Sequence, residues 1–361
     1  MKTPVRLIAF YLPQYHPVPE NDEWWGKGFT EWTNVSKAKP LFPDHYQPHL
    51  PADLGFYDLR LPEVRQAQAD LAKEYGIYGF CYYHYWFNGR RILQRPFNEV
   101  LASGKPNFPF CLCWANENWT RVWDGGSNRV LLAQSYSYED DLHHIESLIP
   151  AFRDERYIRI HGKPLLLVYR TELLPNPART AEIWREAVKR AGIGDLYLAR
   201  VESFESGIVP ESIGFDAAVE FAPDWGNPGG VKFHWKHYFF LGRAGIIAKG
   251  YIENSVSDYQ VVVNRMLHMP EPNYVCFRGV TPSWDNSPRR SKRAFILHGS
   301  TPEKYGAWLR EVVEQTMKRF RGDERMVFIN AWNEWGEGNH LEPDQKWGRA
   351  YLEMTYKAVA L

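Results

Sequence analysis

The sequence predicts a (β/α)8 barrel with long insertions after its strands, and three observations carry that prediction. Short apolar runs alternate with segments of helical periodicity along the whole chain, the pattern of parallel βα units. Eight such pairs fit into 361 residues, the arithmetic of one barrel with generous loops. No G-x-G-x-x-G follows any apolar run and no G-K-[ST] occurs, which removes the main signs of an open doubly wound sheet. No internal repeat, low-complexity tract or linker divides the chain, so residues 1–361 read as a single barrel domain.

The expected strands are Arg6–Tyr11, Ile77–Tyr82, Phe108–Trp114, Pro164–Tyr169, Leu196–Val201, Ala217–Phe221, Tyr274–Arg278 and Met326–Ala331. The expected helices are Pro62–Tyr75, Asn98–Ser103, Glu139–Phe152, Pro177–Ala191, Glu205–Ile213, Asp258–His268, Thr301–Arg319 and a last one near Trp347–Ala360. Pro62 and Pro177 stand where proline is tolerated in a first turn, and Thr301-Pro302-Glu303 reads as a cap followed by such a turn. Gly76 and Gly192 fall where a helix hands over to a strand. Long irregular segments rich in Trp, Pro and Gly run from 12 to 61, 115 to 137 and 222 to 257.

Composition narrows the function. Lys and Arg total 43 against 43 Asp and Glu, so no field draws the chain to nucleic acid or to an anionic membrane. That neutrality points instead to a largely uncharged, polyhydroxylated ligand. The apolar run Leu7–Leu12 is too short for a secretory signal, and no stretch approaches the roughly 18 residues of a membrane span; a soluble, cytoplasmic protein is expected, with its oligomeric state left open. Cys81, Cys111, Cys113 and Cys276 lack metal or redox spacing and read as small buried hydrophobes. The sequons at Asn34 and Asn118 read as chance.

The outlier is aromatic content: 15 Trp, 21 Tyr and 20 Phe, or 16% of the residues. In a barrel the active site lies at the C-terminal ends of the strands, and rings recur there beside Asn, Glu and His. Sugar C–H faces stack on rings while their hydroxyls pair with amides and carboxylates. A saccharide cleft is therefore expected, with Tyr11, Gln14, His84, Trp86, Trp114, Asn116, Glu117, Tyr169, Glu202, Glu220, Trp284, Trp332, Asn333 and Trp335 as its walls.

The chemistry is expected from Glu334 and Glu337. A helical turn would set these carboxylates on one face about 5–6 Å apart, near the spacing of retaining glycosidases, and a partly dry cleft can drive their pKa values apart. Glu342 reads as peripheral. His143-His144 reads as a solvated helix face, and His16, His84 and His340 are explained by sugar hydroxyls; no metal and no cofactor are expected.

The opening AFYLPQYHPVPENDEWWGKGFTEWTNV, then GFCYYHYWF, CWANENWT and the closing NAWNEWGEGNHLEP resemble the WbsX-like family of polysaccharide-biosynthesis proteins, related to the endo-α-mannosidases of glycoside hydrolase family 99. The resemblance implies a (β/α)8 barrel acting on α-mannoside-like bonds, retaining and endo-acting, in a surface polysaccharide or O-antigen pathway. It implies that Glu334 takes the proton of a sugar 2-hydroxyl, which attacks C1, while Glu337 protonates the leaving oxygen. Family 99 enzymes usually carry His before the second glutamate, where this chain has Gly336. The competing functions are a nucleotide-sugar glycosyltransferase, opposed by the absence of any D-x-D triplet, and a non-catalytic saccharide-binding barrel.

Overall fold

The computed structural model describes residues 4–120, 130–225, 244–290 and 292–360. Eight parallel strands close on themselves: β1 (Arg6–Tyr11), β2 (Ile77–Phe87), β3 (Phe110–Trp114), β4 (Lys163–Val168), β5 (Tyr197–Glu202), β6 (Ala217–Glu220), β7 (Cys276–Val280) and β8 (Met326–Ile329). Each pairs with the strand before it, and β1 pairs with both β2 and β8. All eight expected strands exist, with ends shifted by a few residues.

Seven helices cover the barrel: α1 (Pro62–Glu74), α2 (Arg95–Ser103), α3 (Tyr138–Arg153), α4 (Pro177–Arg190), α5 (Tyr259–Leu267), α6 (Pro302–Arg319) and α7 (Ala350–Val359). Their starts are fixed by side chains that accept the unpaired first-turn N–H groups. Ser137 accepts from Asp140 N at 3.1 Å and Asn176 from Arg179 N at 3.0 Å, and Thr301 caps α6 through Lys304 N as its sequence suggests. Gly76 and Gly192 both hold positive φ at the helix ends. The helix expected at Glu205–Ile213 is absent. Gly207 sits at φ +82° and Pro210 follows, leaving one 3-10 turn at Pro210–Ile213.

The largest departure is β2, which runs to Phe87 and pairs as a hairpin with Arg90–Ile92. A strand that continues keeps alternating its side chains between faces. Phe10 of β1 contacts rings of Tyr83, Phe328 and, across the barrel, Phe221, so its parity faces the lumen. Tyr11, one residue on, faces the helices, and its hydroxyl donates to Gln68 of α1 at 2.7 Å. The same alternation sends Tyr83 and Tyr85 inward and His84 and Trp86 outward.

The four cysteines are buried and free, as expected of small hydrophobes. Of the long irregular segments, residues 121–129 and 226–243 lie outside the described residues. No helix among the described residues is long and apolar enough to cross a membrane.

Candidate functional site

A cavity of about 810 Å³ opens at the C-terminal end of the barrel, where barrel enzymes place their chemistry. The chain leaving β8 forms a tight hairpin, Asn333–Glu334 pairing with Asn339–His340 around a 3-10 turn at Trp335–Glu337. That turn puts Glu334 and Glu337 together on the cavity wall, a helical turn as the sequence suggests, though of the tighter kind.

Arg289 joins them. Its side chain, 8% exposed, donates from Nη1 to Glu337 at 2.6 Å and from Nη2 to Glu334 at 3.1 Å. Nε donates to Glu31 at 2.8 Å, and Nη2 lies 2.8 Å from the same oxygen. One guanidinium thus gathers three carboxylates, the planar fork for which arginine suits carboxylate binding. Gly336 makes this possible: a Cβ there would overlap the Glu31 carboxylate and crowd Arg289.

Three carboxylates sharing one cation in a buried site cannot all ionise at no cost. Burial first, then the neighbouring Glu337 charge, raises Glu334 to about 8 against the opposing pull of Arg289. Glu337 is raised as well, by burial, with Arg289 as the main opposing influence. At neutral pH the pair therefore holds a proton, and it resides on Glu334.

Of the expected cleft residues, Gln14, Glu117, Tyr169, Trp284, Glu334 and Glu337 line the cavity. Tyr83 and Tyr85 line it too, where the sequence reading places their neighbours His84 and Trp86. Across from the pair, Glu117 accepts from Arg170 at 2.5 Å, and Arg170 also donates to Glu172 and lies over Phe204 at 4.1 Å.

The remaining expected walls are corrected, and each is drawn away by a specific partner. His84 faces His144 of α3, ring nitrogens 3.0 Å apart. Trp86 donates to Asp140 and stacks on His144. Trp114 donates to the Trp86 carbonyl at 3.3 Å and packs on Trp184 of α4. Tyr11 is committed to Gln68, as above. Asn116 holds the Arg170 backbone through two 2.8 Å bonds. Glu202 accepts from Arg200 and Tyr274, both at 2.8 Å, and Glu220 from Arg278 at 2.8 Å. Trp332 is fully buried against Phe80.

Asn333 and Trp335 act behind the turn. The Asn333 amide bonds both polar groups of Leu12, and its carbonyl accepts from Tyr15 at 2.6 Å. Trp335 donates to Glu342 at 2.6 Å. Glu342 is also corrected, from peripheral to 2% exposed. It accepts from Tyr57 at 2.8 Å and Gln68 at 2.6 Å, and burial lifts its pKa to about 7. His144 is likewise buried, not solvated, whereas His143 is exposed.

The histidines do not converge. Among the described residues, His49, His340 and Asp344 are the group with metal-ligand spacing, their donor atoms within 4.8 Å of one another. His340 Nδ1 donates to the Glu342 carbonyl at 2.8 Å, which leaves Nε2 to accept from His49 Nδ1 at 2.9 Å. A hydrogen bond between neutral rings accounts for this contact, and it lies behind Trp335 rather than on the cavity.

The sequence signals for Glu31 and Arg289 were weak. Glu31 sits in the aromatic opening motif and Arg289 in a basic run after β7, and nothing in spacing brings them to Glu334.

Comparison with known proteins agrees with this geometry. The endo-alpha-mannosidase GH99 from Bacteroides thetaiotaomicron shares the fold with a TM-score of 0.60 at 16% identity, over 98% of this chain and 96% of that one. A glycoside hydrolase-like protein gives 0.58 at 14% identity, over 99% and 94%. The uncharacterized protein WxcX of Xanthomonas campestris pv. campestris is 47% identical over 356 residues, covering 99% of this chain and 50% of that protein. The chain thus spans about half the length of the curated relatives it matches. The family described as glycosyltransferase WbsX matches from inside β1 to inside α7, residues 7–355, and the chain belongs to that family.

Proposed function

We propose that this barrel breaks or transfers a glycosidic bond in a glycan, an α-mannoside-like linkage of a surface polysaccharide or O-antigen, with Glu334 and Glu337 as its acid and base. One observation carries the reading: two buried carboxylates on a single turn share a proton and a guanidinium on the wall of an aromatic cavity. Rings such as Tyr83, Tyr85, Tyr169 and Trp284 supply stacking faces. Burial excludes water and strengthens the local charges.

Glycosidic cleavage needs one carboxyl protonated and the other ionised. The resting site favours Glu334 as donor to the leaving oxygen and Glu337 as acceptor. This reverses the division that the family resemblance implies. The acceptor of the sugar is water or a second sugar hydroxyl, since either gives its proton to the same base. A 2-hydroxyl that attacks C1 fits the same pair, because it too must lose a proton to the ionised carboxylate.

Aryl glycosides with an acidic leaving group test the division, because they need no proton donor. Glu334→Gln is expected to keep turnover on such substrates while losing it on ordinary glycosides, and Glu337→Gln to lose both. The opposite pattern assigns the acid to Glu337. With Glu334 as donor, wild-type turnover falls as pH rises through about 8.

A further inference from the structure

The cavity carries more positive charge than its own carboxylates use. Its lining carboxylates among the described residues are Glu31, Glu117, Glu334 and Glu337. Each is held by Arg170 or Arg289. Three further cations line the same space, namely Lys37, Arg290 and Arg293. None of their side chains makes a hydrogen bond or ion pair with a described residue. The committed pairs and the uncommitted cations also occupy different sides. Lys37 follows β1 and the two arginines follow β7, and these strands flank β8. Arg170 follows β4, which lies opposite β8 in the closed order.

The excess therefore borders the reacting pair. Arg290 is near enough to Glu337 to lower its pKa, while Lys37 and Arg293 stand exposed at the rim. An uncharged sugar needs none of this. Stacking rings and the amides of Asn34 and Asn286 on the same wall would serve its hydroxyls.

Resting on the glycan reading above, we propose that the substrate carries an anionic substituent, a carboxylate or a phosphoryl group, received by Lys37, Arg290 and Arg293 on the sugar beside the one that reacts. Two guanidinium forks and an ammonium match the planar, multi-oxygen geometry of such groups. A zero net charge for the chain is compatible with this, since recognition here is local.

The test uses the full chain and three probes: methyl α-mannoside, its 6-phosphate and methyl α-glucuronoside, titrated by NMR at low and high salt. The wild type is compared with a triple K37Q/R290Q/R293Q variant, whose folding is checked by melting temperature. The charged glycosides are expected to bind at least tenfold more tightly than the neutral one at low salt. That advantage shrinks at high salt and vanishes in the folded triple variant. A stronger phosphate ester identifies a phosphoryl group as the source, and a stronger uronoside a carboxylate. Equal binding of charged and neutral probes, or an advantage that survives the triple variant, overturns the anionic subsite and leaves the glycan reading standing. No binding by any glycoside overturns the glycan reading and this inference with it.

Discussion

Strand β2 divides the molecule into two aromatic regions with opposite roles. Tyr83 and Tyr85 face the cavity beside Glu334, while His84 and Trp86 enter a packed shell with Trp114, His144 and Trp184. Neighbouring residues of similar chemistry are thus separated by the pleat alone. A polar or aromatic residue past the end of an apolar run is not thereby a loop residue, and where the strand persists its parity decides which side it serves.

Two substitutions at Glu334 and Glu337 break the comparison most sharply. Either change to Gln should lower turnover on unactivated glycosides by roughly 10²–10⁴-fold with little loss of fold, as steady-state kinetics and melting curves together would show. On the shell side, Trp114→Ala should cost about 3–5 kcal/mol of stability. Its saccharide affinity, measured below the melting transition, should stay unchanged; weakened affinity would return Trp114 to the cleft.

The two regions also differ in the sign of their pH dependence. Glu334 is raised to about 8 and Glu342 to about 7, so the folded state holds protons that the unfolded chain releases above the ordinary carboxyl pKa near 4.5. Their contribution is present at low pH and is lost as pH rises from about 4.5 toward 8. His84 is depressed to about 3 by burial, so the unfolded chain binds the proton first. Its contribution is present above about 6.5 and is lost as pH falls toward 3. Urea midpoints across this range should flatten on the alkaline side in Glu334→Gln and on the acid side in His84→Asn. A stability profile unchanged by both variants would refute the two buried environments.

The smallest expected effect is at the stacking wall. Tyr85→Ala should weaken saccharide binding by about 1 kcal/mol, read by titration calorimetry, whereas Trp86→Ala should weaken folding and leave affinity alone.

The barrel was legible because apolar runs of strand length and helical periods recur eight times, and caps such as Thr301 mark helix starts locally. Glu334 and Glu337 were legible because three-residue spacing brings side chains together on any helical turn. Arg289 and Glu31 were not, since their meeting with the turn spans 45 to 303 residues of chain and depends on the smallness of Gly336. Glu342 was misread because Pro343 beside it suggests a surface loop, yet Trp335, Tyr57 and Gln68 enclose the carboxylate from three separate segments. The shell residues were misassigned for one reason, that β2 continues five residues past Tyr82.

The most direct test is a crystal structure of Glu337→Gln soaked with α-linked oligosaccharides. The account predicts a sugar chain in the cavity, one ring stacked on Tyr85 or Trp284 and a glycosidic oxygen within hydrogen-bonding reach of Glu334. Saccharide bound elsewhere, or bound in the cavity with every glycosidic oxygen out of reach of both positions, would contradict it.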